Sequence, residues 1–140
     1  MSLTLLFNLG DDVYGLEIEA LQEIVENPVM HHVPQAQGAL RGAINFHGQI
    51  LAVIDLPDLL GIKNARRDHR RVVLTPEYKS LVLTVSAIQR IVTLDLTDLQ
   101  PPPENSEDTA IRGQINLDET MIKMLDTNAI FKQLQNIYAE

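Results

Sequence analysis

An internal duplication constrains the fold of this chain more than any other feature. The heptapeptide LRGAINF at 40–46 recurs as IRGQINL at 111–117, a separation of 71 residues. The register continues without a gap, because Asp55 falls on Asp126. The chain therefore contains the same small structural unit twice.

A second match supports the duplication. The hexapeptide ALQEIV at 20–25 recurs as AIQRIV at 87–92, at a separation of 67 residues. The copies span roughly 13–61 and 80–131 within one domain, 1–140. Because either copy would be marginally stable alone, we expect the two to intertwine and to share an apolar core.

The segment 41–61 of the first copy predicts a strand, a tight turn, a second strand and a short helix. The pair His47-Gly48 has the composition of a hairpin turn, and 49–54 resumes as a strand of aliphatic and β-branched residues. The repeated segment 111–125 predicts a second hairpin of the same kind. It turns at 118–119.

Two aspartates follow these hairpins at equivalent places. Asp55 can accept a hydrogen bond from the free N–H groups of a helix at 56–60, and Asp126 can do the same for a C-terminal helix at 128–138. We predict that both aspartates are structural caps. The C-terminal helix has apolar residues at helical spacing, namely Ile130, Phe131, Leu134, Ile137 and Tyr138.

The rest of the chain contains mainly short extended segments. Further strands are predicted at 3–9, 13–18, 71–75, 79–85 and 91–94, with a turn at 86–89. Pro28 marks 23–33 as an edge or bent strand, and the polar stretches 62–71 and 101–109 predict exposed loops. Many short strands with little helix predict an all-β barrel or sandwich.

Composition excludes several functional classes. The chain has no Cys, so no disulfide or thiolate metal site can form. A net charge of -8 disfavours nucleic acid as a partner, since such binding relies on Lys and Arg. No segment resembles a signal peptide or a membrane span, so we expect a soluble cytoplasmic protein without direct membrane insertion.

The sequence contains no pattern typical of an active site or a cofactor site. It has no phosphate-binding glycine loop and no motif that would support a nucleophile, so we predict that it is not an enzyme. His31 and His32 point to opposite faces of an extended chain, which disfavours a metal site shared with His47 or His69. We expect no metal and no cofactor.

The order of motifs resembles one known family. The series YGLEI, QEIVE, RGAINFHGQILAVIDL, LLG, LVLTVSAIQRIV, IRGQI and LDTNAIF is similar to the CheW family of bacterial chemotaxis adaptors, over nearly the whole chain. The resemblance implies two five-stranded SH3-like barrels related by a pseudo-twofold axis, with a shared apolar core, short helical turns and a C-terminal helix.

The implied function is that of a non-catalytic scaffold. Its partners would be the regulatory domain of a CheA-type histidine kinase and the cytoplasmic tip of a chemoreceptor, with recruitment to membrane receptor arrays. Residues matching the family's partner-binding motifs are Leu21, Glu23, Ile24, Gly42, Asn45, His47 and Gly48. The two glycines also fit a purely backbone role, and Leu21 and Ile24 also fit a core role.

The chain departs from the family pattern at two places. His47 stands where the family has an Arg implicated in receptor contact, and Ser86 stands where it has an Asp. An imidazole lacks the five fixed donors of a guanidinium, so an adaptor of a paralogous system, such as pilus motility, is an alternative. A small-molecule-binding barrel and an oligonucleotide-binding barrel are alternatives of other classes; the second lacks the basic, aromatic face that it needs.

Overall fold

The computed structural model describes residues 1–34, 38–102 and 110–138, with side chains of the last helix described up to residue 135. The strands of the described part are β1 (Ser2–Leu9), β2 (Asp12–Glu17), β3 (Leu21–Glu26), β4 (Leu40–Phe46), β5 (Gln49–Asp55), β6 (Arg70–Leu74), β7 (Val82–Thr84), β8 (Ala87–Leu94), β9 (Ile111–Leu117) and β10 (Thr120–Leu125). Helices are short except for the last. They are α1 (Leu56–Leu59), α2 (Thr127–Tyr138) and three 3₁₀ turns at Ile18–Ala20, Pro76–Tyr78 and Leu96–Asp98.

The strands form two five-stranded sheets that curl into small SH3-like barrels. In the first sheet, which we call barrel A, the strand order is β8-β1-β2-β10-β9. In the second sheet, barrel B, the order is β3-β6-β7-β5-β4. The predicted all-β class with two five-stranded units is therefore confirmed.

Strands from the two halves of the sequence mix in both barrels. Barrel A takes β1 and β2 from the first half and β8, β9 and β10 from the second, and barrel B has the reverse composition. Exchanging β1 with β6, β2 with β7, and β3 to β5 with β8 to β10 converts one strand order into the other. The division into repeat copies stays a prediction, and this correspondence would extend each copy to include β1 or β6.

Each barrel has its own interior, and a third core lies between them. Barrel B encloses Ile44, Phe46, Leu51, Val53, Val73 and Val82. Barrel A encloses Leu6, Leu94, Ile115, Ile122 and Met124. The larger central core takes side chains from both sheets, including Phe7, Leu16, Ile54 and Leu83, and is completed by Ile130 and Leu134 of α2. This arrangement confirms the predicted shared apolar core.

Two equivalent glycines permit a close backbone approach in the two barrels. A Cβ atom on Gly42 would lie 2.7 Å from the carbonyl oxygen of His31, and one on Gly113 would lie 2.5 Å from that of Gln100. Both glycines follow a bulge, where the pairing of β4 with β5 and of β9 with β10 shifts register. The duplicated Arg-Gly pair thus serves backbone geometry in each copy.

Both hairpin turns require a left-handed backbone. His47 and Gly48 have φ values of 49° and 86°, and Asp118 and Glu119 have values of 49° and 67°. Two consecutive positive φ angles are typical of the type I′ turn that suits the twist of a hairpin. The predicted turns are confirmed, although the second contains no glycine.

Several predicted boundaries are wrong. The segment 86–89 is not a turn, because β8 begins at Ala87 and pairs there with β1. The predicted strand 79–85 is shortened to β7, since Lys79 and Ser80 have positive φ and form a turn. Strand β3 is an edge strand, as predicted, but it ends at Glu26, before Pro28.

Parts of other predictions lie outside the described residues. These are positions 35–37 of the connector before β4, nearly all of the acidic loop at 101–109, and the side chains of Ile137 and Tyr138. The apolar face of α2 can be followed to Leu134, which is buried against the central core.

Candidate partner-binding surface

Two of the candidate contact residues meet on one surface of barrel B. Glu23 lies on β3 and His47 in the β4–β5 turn, and these strands are the two edges of the same sheet. Curling of the sheet brings the Oε1 atom of Glu23 to 3.8 Å from Nε2 of His47. Both side chains remain accessible, with exposed fractions of 47% and 74%.

Asn45 holds the turn that carries His47. Its side-chain oxygen accepts a hydrogen bond of 3.0 Å from the backbone N–H of Gly48. Asn45 is itself exposed, so its amide N–H groups point to a surface where a partner can be contacted. The local role suggested by the sequence is therefore present, together with exposure.

Ile50 adds an apolar element that the sequence analysis missed. It pairs with Asn45 across the hairpin and is 69% exposed. Its position could have been inferred from the alternation along β5, because its neighbours Leu51 and Val53 point into the barrel. We define the tip surface of barrel B as Glu23, Asn45, His47, Gly48 and Ile50.

Three other candidate residues do not join the tip surface. Leu21 and Ile24 are half-buried and pack against the central core. Gly42 is buried where the chain at His31 crosses β4. The structure thus separates the seven candidates into four exposed at the tip and three with surroundings typical of structural residues.

The predicted caps have unequal surroundings. Asp126 accepts a hydrogen bond of 3.0 Å from the N–H of Ala129, and Asp55 accepts one of 3.2 Å from the N–H of Asp58. Asp55 is buried and also accepts a 2.8 Å bond from Nε of Arg67, so it is a cap and an ion-pair partner at once.

The basic loop before β6 is not simply exposed, which corrects the sequence prediction. Asp68 is only 6% exposed in its side chain, and its carboxylate accepts hydrogen bonds from the Arg70 side chain and from the N–H of Ile88. Burial acts to raise the pKa of Asp68, but the hydrogen bonds and the charge of Arg70 together lower it to about 2. The loop is thereby tied to the start of β8.

Barrel A carries a hairpin tip of different chemistry. Asn116, equivalent to Asn45, is exposed, and Met121, equivalent to Ile50, is 42% exposed. The turn itself has Asp118 and Glu119 in place of His47 and Gly48. The two barrels therefore present similar shapes with different charges.

Ser86, where the family pattern has an Asp, serves the fold of barrel A. It is buried, and its hydroxyl oxygen accepts a 3.0 Å hydrogen bond from the N–H of Gly10. Its own N–H donates to the carbonyl of Asn8. The departure from the family pattern at this position is thus accommodated inside the protein.

The histidines lie apart from one another in the fold. His69 stands 3.5 Å from both Glu26 and Asp68, whereas His47 faces Glu23. Within 1–34, 38–102 and 110–138, no three His, Asp or Glu side chains are grouped so that they could hold a metal ion. Neither helix of that part is long and apolar enough to cross a bilayer.

The tip surface has the chemistry of a protein contact. It combines an exposed aliphatic side chain with a carboxylate, an imidazole and an amide on rigid strands, which is the mixture of apolar centre and polar rim found in interfaces.

Comparison with known proteins relates the whole fold to one family. The model of the CheW-like domain matches residues 3–135. Among curated proteins, the chain is 30% identical over 130 residues to the chemotaxis protein CheW of Rhizobium meliloti (strain 1021), covering 89% of this chain and 84% of that protein. It is 25% identical over 142 residues to the chemotaxis protein CheW of Treponema pallidum (strain Nichols), covering 94% and 84%.

A solved structure shows the same architecture. The scaffolding protein TtCheW from Thermoanaerobacter tengcongensis superimposes with a TM-score of 0.81 at 27% sequence identity. The superposition covers 89% of this chain and 88% of that structure.

Proposed function

Because this chain belongs to the family of CheW-like domains, we propose that it is a non-catalytic adaptor that couples chemoreceptors to a CheA-type histidine kinase. The observation that carries the proposal is the match of that family to residues 3–135, which include both barrels. An adaptor acts only through binding free energy. A micromolar contact corresponds to about -8 kcal/mol, which permits reversible assembly.

The tip surface of barrel B supports the receptor half of the proposal. Glu23, Asn45 and His47 match the family's partner-binding motifs, and they are exposed together beside Ile50. We assign the cytoplasmic tip of a chemoreceptor to this surface and the regulatory domain of the kinase to another part of the barrels. The protein would then act in the cytoplasm, at membrane receptor arrays.

His47 favours a second candidate within the same class, an adaptor of a paralogous system such as pilus motility. A guanidinium at this position could hold a partner carboxylate with two parallel hydrogen bonds, whereas the imidazole cannot, and Glu23 competes for it at 3.8 Å. The receptor partner of this chain would therefore differ in charge from that of family members with Arg. The small-molecule alternative has less support, since apolar side chains from the described strands fill both barrels.

Titration calorimetry with the regulatory domain of a CheA-type kinase from the same source tests the kinase half. We expect binding with a Kd of about 1–10 μM. A folded protein that shows no heat of binding with that domain at tens of micromolar would refute the kinase contact. The same titration with a soluble receptor tip, and with Glu23→Lys as the disrupting variant, tests the receptor half separately.

A matched control keeps that test specific. Glu19→Lys makes the same charge change on the neighbouring 3₁₀ turn, away from His47. Loss of receptor binding in Glu23→Lys but not in Glu19→Lys would assign the contact to the tip surface. Equal losses would indicate only a general charge effect.

A further inference from the structure

An open apolar groove lies between α2 and the outer face of β5 in barrel B. Its volume is about 400 Å³, and its walls are Ala52 and Ile54 from β5, Leu81 before β7, and Phe131 and Leu134 from α2. Lys79 stands at the rim. None of these residues belongs to the tip surface of barrel B.

The equivalent place in barrel A is closed by a charged side chain. The ammonium group of Lys123 lies 5.7 Å from the ring centre of Tyr14 and donates a 2.9 Å hydrogen bond to Asp12. The stem of Lys123 thus covers the strand surface, and its charge is neutralised within the barrel.

The duplication shows why barrel B is open at this place. The offset of 71 that relates the hairpins places Ala52 on Lys123, and the offset of 67 places Leu81 on Tyr14 and Lys79 on Asp12. The covering lysine is replaced by a methyl group, and the anion is replaced by a cation. Lys79 is exposed and forms no ion pair with any residue in the described ranges.

The walls of the groove are held in place by packing. Leu134 is buried in the central core, and Phe131 meets Tyr78 edge to face with ring centres 6.4 Å apart. Ala52 and Ile54 lie on a strand paired on both sides, with β4 and with β7. A partner therefore finds no free strand edge to pair with, and it must bind through side chains.

We propose that the groove binds an amphipathic helix of a partner protein, with apolar side chains against Ala52 and Leu134 and a carboxylate beside Lys79. Ile50, Ala52 and Ile54 share one face of β5 over about 13 Å, which is the length of roughly nine helical residues. The unpaired cation at one end of an otherwise apolar groove sets the charge of the partner. This site is independent of the receptor contact proposed above.

Two synthetic helical peptides test the charge and the shape of the groove. Each is a stapled 14-residue helix with two leucines four residues apart, and they differ only by Glu or Lys at the position that would face Lys79. Titrated into the ¹⁵N-labelled full chain, the Glu peptide should shift amide signals of β5 and α2 and bind about threefold to fivefold more tightly than the Lys peptide. In Lys79→Glu the preference should reverse.

The variant Ala52→Lys tests the cavity itself. It installs the residue that barrel A has at the equivalent place, so the fold should tolerate it, and the affinity for the Glu peptide should fall by about tenfold or more. Thr93→Lys, an exposed change on β8, is the matched control and should leave the affinity unchanged. Kinase and receptor titrations with Ala52→Lys should match those of the unmodified chain, which separates this site from the adaptor function.

Three outcomes would overturn the proposal. One is the absence of signal shifts at millimolar Glu peptide, and another is equal affinity in Ala52→Lys and Thr93→Lys. The third is binding of octanoate to the same residues while neither peptide binds, which would assign the groove to a small amphipathic acid instead.

Discussion

The carboxylate of Glu23 and the imidazole of His47 lie 3.8 Å apart, although they belong to the two strands at opposite ends of their sheet order. Their contact exists only because the sheet of barrel B curls until its edges approach each other. A substitution at either residue will therefore act on the other before it acts on a partner.

We expect His47→Arg to strengthen binding of a chemoreceptor tip by about 1 kcal/mol, because a guanidinium can hold a carboxylate with paired hydrogen bonds. The gain should be larger when Glu23→Gln is also present, since the internal carboxylate then no longer competes. Calorimetry on the two single variants and the double variant measures this coupling. An affinity unchanged by His47→Arg in both backgrounds would place the receptor contact elsewhere.

Gly42→Ala should destabilise the fold by about 2–3 kcal/mol, because the new Cβ would lie 2.7 Å from the backbone oxygen of His31. Gly48→Ala meets no atom within 4 Å, but its φ of 86° is unfavourable for alanine and should cost about 1 kcal/mol. Urea denaturation of the two variants measures the difference. Equal costs would show that the bulge at β4 relaxes without strain.

Asp55→Ala should cost about 2 kcal/mol in unfolding free energy, and Asp126→Ala about 1 kcal/mol. Both changes remove a helix cap, but only the first also removes the acceptor of the Arg67 side chain from a buried place. Thermal unfolding monitored by circular dichroism can rank the two variants. A larger loss in Asp126→Ala would contradict the role of the Arg67 contact.

Acid should weaken the fold partly through Asp68. Its pKa is about 2 in the folded protein, below the ordinary value near 3.8, so its ionised form stabilises the fold fully above about pH 4. This contribution, about 2 kcal/mol, is lost as the pH falls from 4 towards 2.

The variant Asp68→Asn isolates that contribution. It should be less stable by about 2 kcal/mol at pH 7 and should show a shallower decline in stability below pH 4. Asp98→Asn, an exposed change, is the control and should follow the unmodified chain. Parallel curves for Asp68→Asn and the unmodified chain between pH 4 and 2 would exclude Asp68 as a source of acid sensitivity.

Features set by neighbouring residues could be predicted from the sequence. The caps at Asp55 and Asp126 and the turn at His47-Gly48 follow from local hydrogen bonding and backbone preference, and they lie where they were predicted. The duplication likewise predicted a shared core. The family motifs indicated the adaptor class, because they are spread over nearly the whole chain.

Features that depend on distant strands became visible only in the folded molecule. The mixing of strands between the barrels, the approach of Glu23 to His47 and the burial of Asp68 all follow from long-range pairing, which leaves no periodic signal in the sequence. The same holds for the groove at Ala52. Its depth depends on whether a long side chain from the adjacent strand covers it, as Lys123 does in barrel A.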